Sequence, residues 1–438
     1  MRHTTRLRTI AFSLFVVLIP VTGLAMLQLD TMSSTTTAAY AKAKPADPIA
    51  KLQEKMDSGE VTLKFDRRWG YLPSVLDILK IPESTQSLVF SKTSFQIDHI
   101  GVRMPRALYF NDDVYVGWVQ GGPVLEFASV DPKLGAIFYT LDQKTDGPPK
   151  FERLVEGCLV CHHSSSTEGV PGFLMRSILA DVDGDPILSA GTSLITDRSP
   201  WVERFGGWYV TGTTGRQVHQ GNSYYPGNSD AIGNARTWLG RRDFAATSNL
   251  TSLPEGVDTS RYLTKHSDIV ALLVLAHQTQ LHNVISRVTY ELPSILRDEA
   301  LDPSNSQMAQ YRIRGVAEPL VQAMFFAWTP EFTDSVRGTS TFASEFVKQG
   351  PFDHQGRSLR ELDLNKRLFR YPLSYLVYSE AFDAMPARAK EYVYRRFREI
   401  LTGTDKSIDF RHLTESDRKA IMEILEDTKP EFAKHKGY

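Results

Sequence analysis

The sequence predicts an α+β protein with a strand-rich N-terminal region, a Gly-rich middle segment and a helical C-terminal half. Three observations carry this reading. Runs of β-branched and aromatic residues, broken by Asn-Asp-Asp, Gly-Gly-Pro and Asp-Pro-Lys, fill the stretch from Val61 to Leu141. Both cysteines of the 438-residue chain stand together in the middle, at Cys158 and Cys161, with His162 directly after. From Ser267 onward the apolar residues recur at i, i+3 and i+4, the spacing of one helix face. A hydrophobic content of 42% with 23% charged residues is that of a globular chain able to bury more than one core, which excludes disorder. Lys plus Arg is 50 against 51 for Asp plus Glu, so there is no cationic excess for a nucleic-acid backbone.

Residues 1–41 are expected to be an export signal or an N-terminal anchor. Arg2, Arg6 and Arg8 precede an uncharged apolar stretch from Thr9 to Leu29, and a small-residue pattern, Ala39-Tyr40-Ala41, follows. No other stretch approaches 18 uninterrupted apolar residues, so membrane contact is expected only through this segment if it stays uncleaved. The mature protein is expected in the periplasm or outside the cell.

A strand-rich region follows at 42–149. It opens with a linker and a helical pattern at Ile49–Met56, and strands are expected at Val61–Phe65, Ser87–Phe95, Ala107–Phe110, Val114–Val119, Val124–Val130 and Ala136–Leu141. The segment 150–250 carries the cysteines, led by an expected short helix through Phe151, Leu154 and Val155. In the helical region, 260–438, helices are expected from Ser267 as N-cap to about Arg287, at Pro319–Trp328, Leu373–Phe382, Ala387–Leu401, and Glu415–Glu426 behind a Thr414-x-x-Asp417 cap.

Cys158-Leu159-Val160-Cys161-His162 matches the attachment motif of c-type haem, in which two thiols add to the porphyrin vinyl groups and the histidine ligates iron. One helical turn sets both sulfurs along one edge of a flat ring with the imidazole beneath the metal. A zinc site would need two further ligands from distant histidines. A thioredoxin-like pair would need a βαβ setting, and a disulfide would close only a tiny loop.

These residues resemble the bacterial c-type cytochrome domain, with Gly169-Val170-Pro171-Gly172 similar to the Gly/Pro loop that follows the motif there. The resemblance implies that the Pro171 carbonyl accepts a hydrogen bond from His162. At larger scale the chain is similar to large secreted bacterial proteins with a single c-type haem motif, through residues 107–117, 206–212 and 370–375. Residues 350–361 faintly resemble a segment of di-haem peroxidases, but that family needs two attachment motifs where this chain has one, and a solvated loop at a helix start is the better account.

The distal iron position has three candidates. His277 lies on the apolar face of its helix, His219 lies in a Gly-rich loop, and Met175 follows the motif closely; His282 points to another side of the His277 helix. Histidine is expected over methionine, giving a six-coordinate haem. Asp181-Val-Asp-Gly-Asp185 has alternating carboxylates, but a turn between Ile178–Ala180 and Ile187–Leu188 fits it better than calcium. The functional expectation is an exported electron carrier with one covalent haem c and a redox partner protein. The alternatives are a haem-dependent oxidase or peroxidase, suggested by the chain's size, and a binding protein that haem stabilises.

Overall fold

The computed structural model describes residues 39–227 and 232–435. The chain divides into a unit spanning Met1–Lys44 and a second from Pro45 to Tyr438. Of the first, the described part is one helical turn, closed where the Ala43 N–H donates to the Ala39 carbonyl at 3.1 Å. The expected apolar export stretch lies outside the described residues.

The second unit is α+β, as the sequence predicts. It opens with helices α1 (Pro48–Asp57) and α2 (Leu72–Ile78), followed by a six-stranded antiparallel sheet in sequential order: β1 (Ser87–Val89), β2 (Arg106–Phe110), β3 (Val114–Trp118), β4 (Val124–Asp131), β5 (Gly135–Asp142) and β6 (Phe151–Leu154). Each strand pairs with its neighbour in sequence, and tight Asn-Asp and Asp-Pro-Lys-Leu turns join β2 to β3 and β4 to β5. Asn111 Oδ1 accepts the Val114 N–H, and Asp131 Oδ1 accepts the N–H groups of Lys133 and Leu134.

Three sequence expectations fail in whole or in part here. The strand expected at Ser87–Phe95 is only Ser87–Val89. Val61–Phe65 forms no strand: only Leu63 of its apolar residues is buried, and Phe65 is exposed. Phe151–Val155, expected to be helical, is mostly β6, whose Phe151 and Arg153 pair with Leu141 and Tyr139. Four residues are too few to show a period, and a free sheet edge decides the conformation.

After β6 the chain turns at once into α3 (Glu156–His162), then forms a two-stranded ribbon of β7 (Arg176–Ile178) and β8 (Thr192–Leu194), and α4 (Ile232–Arg241). Between β7 and β8 the acidic loop is a turn. Asp181 Oδ1 accepts the N–H groups of Asp183 and Asp185, and the Ile187 N–H reaches the Leu179 carbonyl.

The helical half holds α5 (Ile269–Leu301), α6 (Ser306–Met324), α7 (Phe342–Phe346), α8 (Glu380–Asp383), α9 (Ala387–Leu401), α10 (Glu415–Thr428) and α11 (Pro430–Lys434). Every residue from Ile269 to Thr279 is buried, as an apolar-all-round helix must be. By length and composition α5 could cross a membrane, yet 94% of its most apolar stretch is buried inside the protein, which makes it the core helix. Its N-cap is Asp268, whose carboxylate accepts the Val270 N–H, while Ser267 instead donates to the Tyr209 carbonyl. The capping box of Thr414 and Asp417 forms as expected. Polar residues of α5 tie it to the sheet: Gln278 donates to Tyr115 Oη and His282 to the Asp112 carbonyl.

Candidate haem site

The motif sits on a short helix hung from the sheet. Because α3 begins one residue after β6, it folds back over the sheet face that carries Leu154, Phe138, Ala128 and Tyr115, which are cross-strand partners in one row. The His162 ring packs on Phe138 with centroids 4.6 Å apart. Leu159 is the buried anchor of α3, Val160 and Cys161 face outward, and Cys158 is half-buried. Both thiols are free.

One nitrogen of His162 is fixed. Its Nδ1–H donates to the Gly172 carbonyl at 2.9 Å, and the Gly172 N–H returns to the His162 carbonyl at 2.8 Å. The Pro171 carbonyl, which the cytochrome resemblance assigns to this role, instead accepts the Ala136 N–H of the sheet. The supporting carbonyl is therefore one residue later than expected. Burial pushes the His162 pKa down, the Gly172 contact working against it, so the ring is neutral near pH 7. Nε2 makes no hydrogen bond among the described residues and keeps its lone pair.

The loop that holds His162 is itself held by α5. Asn283 Oδ1 accepts the Phe173 N–H at 2.7 Å and its Nδ2 donates to the Phe173 carbonyl at 2.8 Å. A side chain at Gly172 would meet Asn283 Oδ1 at 2.4 Å, so this close approach requires glycine.

Beside the motif, the next row of the same sheet face runs through Gly117, Glu126 and Thr140. Glu126 is buried and accepts from Ser94 Oγ at 2.5 Å and Gln96 Nε2 at 2.8 Å, with the Arg106 guanidinium on its other oxygen. Arg106 lies flat across Gly117, where a Cβ would stand 2.3 Å from Nη2. Burial raises the Cys158 thiol pKa, with the Glu126 charge adding to it. Arg106 Nε and Gln96 Oε1 are buried without a partner among the described residues. Sequence reading missed this cluster, whose only signal was a lone Arg and a lone Glu within apolar strands.

No protein family, curated protein or solved structure matches the chain.

The distal candidates differ in what binds their side chains. His277 has both nitrogens committed, Nδ1 to Asp197 Oδ2 and Nε2 to Ser374 Oγ, each at 2.7 Å, which leaves no lone pair for a metal. His219 Nδ1 accepts the Gly221 N–H at 3.1 Å, so the proton of the neutral ring is on Nε2; burial pushes its pKa down to about 4. With both nitrogens bonded, His277 is not presented as a ligand, whereas His219 Nε2 is buried without a partner among the described residues. Met175 is buried, and its thioether makes no hydrogen bond among the described residues. His282 donates from Nε2, and its Nδ1 is buried without a partner. Among the described residues no group of three or more His, Cys, Asp or Glu is placed to hold a metal, so the ligands a zinc reading of Cys158 and Cys161 needs are not gathered there. In the peroxidase-like segment, His354 is exposed and paired with Asp427, and Arg357 bridges Asp353 and Glu423.

Proposed function

We propose that the protein is an exported c-type cytochrome that carries one haem through Cys158 and Cys161, with His162 as the proximal ligand, and passes electrons to a protein partner. The observation that carries this is the state of His162: neutral, oriented through Nδ1 by the Gly172 carbonyl, with Nε2 free, on the same helix as two free thiols. A backbone acceptor on the far nitrogen is what fixes a ligating imidazole. The orphaned Arg106 Nε next to the motif also suits a cofactor that brings polar groups of its own. The haem would supply a one-electron change at iron. The chain's part is to hold the imidazole neutral and oriented, to seat it on Phe138, and to leave Cys161 and Val160 at the surface where a partner can approach.

A second reading, a haem-dependent oxidase or peroxidase, is favoured by one observation: the nitrogens of His277 and His219 are already occupied or protonated, which leaves the distal position to Met175 or to an exogenous ligand. The test is co-expression with a haem-attachment system. A haem-staining band that survives denaturation and disappears in Cys158→Ala/Cys161→Ala supports covalent attachment; stoichiometric zinc without haem overturns it. A low-spin spectrum supports the carrier, whereas a high-spin spectrum with ready cyanide binding and peroxide turnover selects the enzyme.

A further inference from the structure

The hydrogen bonds that remove His277 from the iron create something else. Asp197 Oδ2 lies 2.7 Å from His277 Nδ1, and His277 Nε2 lies 2.7 Å from Ser374 Oγ. A carboxylate can only accept, so Nδ1 carries a proton; in the neutral ring Nε2 then accepts from the Ser374 hydroxyl. This is the connectivity by which an imidazole activates a serine oxygen. We propose that Asp197, His277 and Ser374 form a second chemical centre, a serine nucleophile for small neutral esters, closed by the strap that links α6 to the following loop.

Three independent features support a site over a structural strut. The first is the donor next to the nucleophile. Ser374 caps the short 3-10 turn Tyr375–Tyr378, its Oγ accepting the Leu376 N–H at 3.2 Å. The intervening Tyr375 N–H makes no hydrogen bond among the described residues. A free backbone N–H on the residue after the nucleophile is the position of an oxyanion donor.

The second is the strap itself. Residues 324–328 touch the surroundings of all three members. The Met324 carbonyl accepts the Ser374 N–H at 2.8 Å, the Phe326 ring stacks on His277 at 4.6 Å, and the Ala327 carbonyl accepts from Arg198, next to Asp197, at 3.1 Å. Phe326 and Trp328 have φ of 55° and 67°, a left-handed backbone that bulky residues adopt only at a cost. Such strain concentrates at sites and in segments that change conformation.

The third is depth. His277 and Ser374 are fully buried, but Phe326, in contact with the imidazole, is 8% exposed and Trp328 is 49% exposed. The segment that covers the imidazole therefore reaches the surface two residues further on, at Trp328. Phe326, Phe369 and Tyr375 surround His277, which suits an uncharged, apolar acyl group.

In the reaction Ser374 Oγ forms a bond to the ester carbonyl carbon as its proton moves to His277 Nε2. The carbonyl oxygen takes the negative charge beside the Tyr375 N–H. The C–O bond to the alcohol then breaks, and His277 returns the proton to the departing oxygen. Water then loses a proton to His277 and adds to the acyl carbonyl; the acyl–Oγ bond breaks, the acid leaves, and His277 returns the proton to Ser374 Oγ.

The test uses the full chain with an alkyl fluorophosphonate, mapping the adduct by mass spectrometry, and p-nitrophenyl butyrate as substrate. The proposal expects an adduct on Ser374, formed at least tenfold faster in Phe326→Ala, where the strap no longer covers the imidazole. Ester hydrolysis is expected to vanish in Ser374→Ala and to fall by about 10³–10⁴-fold in Asp197→Asn, which stabilises the wrong tautomer. Circular dichroism establishes that each variant is folded. No adduct at Ser374 in folded wild type and folded Phe326→Ala, or an adduct confined to other serines, overturns it. Because the adduct is read on the unmutated chain, misfolding of Ser374→Ala would not blunt the test, and neither outcome depends on haem.

Discussion

His162 and His277 are both neutral-capable imidazoles on helices, yet the two regions around them make opposite things of the ring. On α3, a seven-residue helix at the surface, one nitrogen is held by a backbone carbonyl and the other is left free. On α5, in the middle of the core, both nitrogens are bound by side chains from segments 80 and 97 residues away. What a histidine can do is set by which nitrogen its neighbours leave uncommitted. Local sequence shows that for His162, whose acceptor is ten residues on, and hides it for His277.

The largest test of that contrast is stability. His277→Ala leaves the Asp197 carboxylate and the Ser374 hydroxyl without their partner and opens a cavity, so urea unfolding should show a loss of about 3–5 kcal/mol. His162→Ala removes one hydrogen bond to a carbonyl and the ring contact with Phe138, and should cost about 1–2 kcal/mol. Equal losses would break the comparison.

Next comes the acid limb. His282 and His219 are held neutral by burial, with pKa values near 4 in the folded state, against about 6.5 in the unfolded chain. Between those values the unfolded chain binds the extra proton and the folded one does not. Their stability contribution is therefore complete above pH 6.5 and is lost as pH falls toward 4, by up to about 3 kcal/mol for each ring. His282→Gln should flatten the fall measured by urea melts from pH 7 to pH 4.5. An unchanged slope would show that this ring does not titrate with unfolding.

A further effect is expected at the support of His162. Gly172→Ala pushes a methyl into Asn283, and the expected cost is about 1–3 kcal/mol. In haem-loaded protein the same variant should shift the midpoint potential by loosening the imidazole, while Gly169→Ala, whose Cβ meets nothing but whose φ of 73° is strained, should lose stability without moving the potential.

Much of the architecture was legible. Alternating β-branched residues and short Asx turns located β2 to β5 within about two residues, and the capping box located α10. The failures have physical causes. Val61–Phe65 has strand composition but no sheet edge to pair with, and Phe151–Leu154 has an edge but too few residues to show a period. The expected helix at Pro319–Trp328 begins earlier, at Ser306, and ends at Met324. A proline within α6 removes one ladder bond without ending a helix packed on α5 and α9. At the site, the cysteines and His162 could be found because the motif is local. Gly172 rather than Pro171 could not, since the choice depends on a turn whose carbonyls diverge, one to His162 and one to β5. The Asp197–His277–Ser374 set was invisible because no spacing links its members.

The sequential strand order also fixes a timetable. The hairpins β2–β3, β3–β4 and β4–β5 close over a few residues and can form within microseconds. The bonds of α5 reach back much further, 110 residues to Phe173, 163 to Tyr115 and 170 to Asp112. Contacts at such separation come late, after the entropy of closing a long loop. The early sheet must therefore wait with one apolar face in water, and the loop that orients His162 stays slack until Asn283 arrives. Docking of a single helix then both buries the sheet and tightens the site, so the two should appear in refolding as one kinetic event.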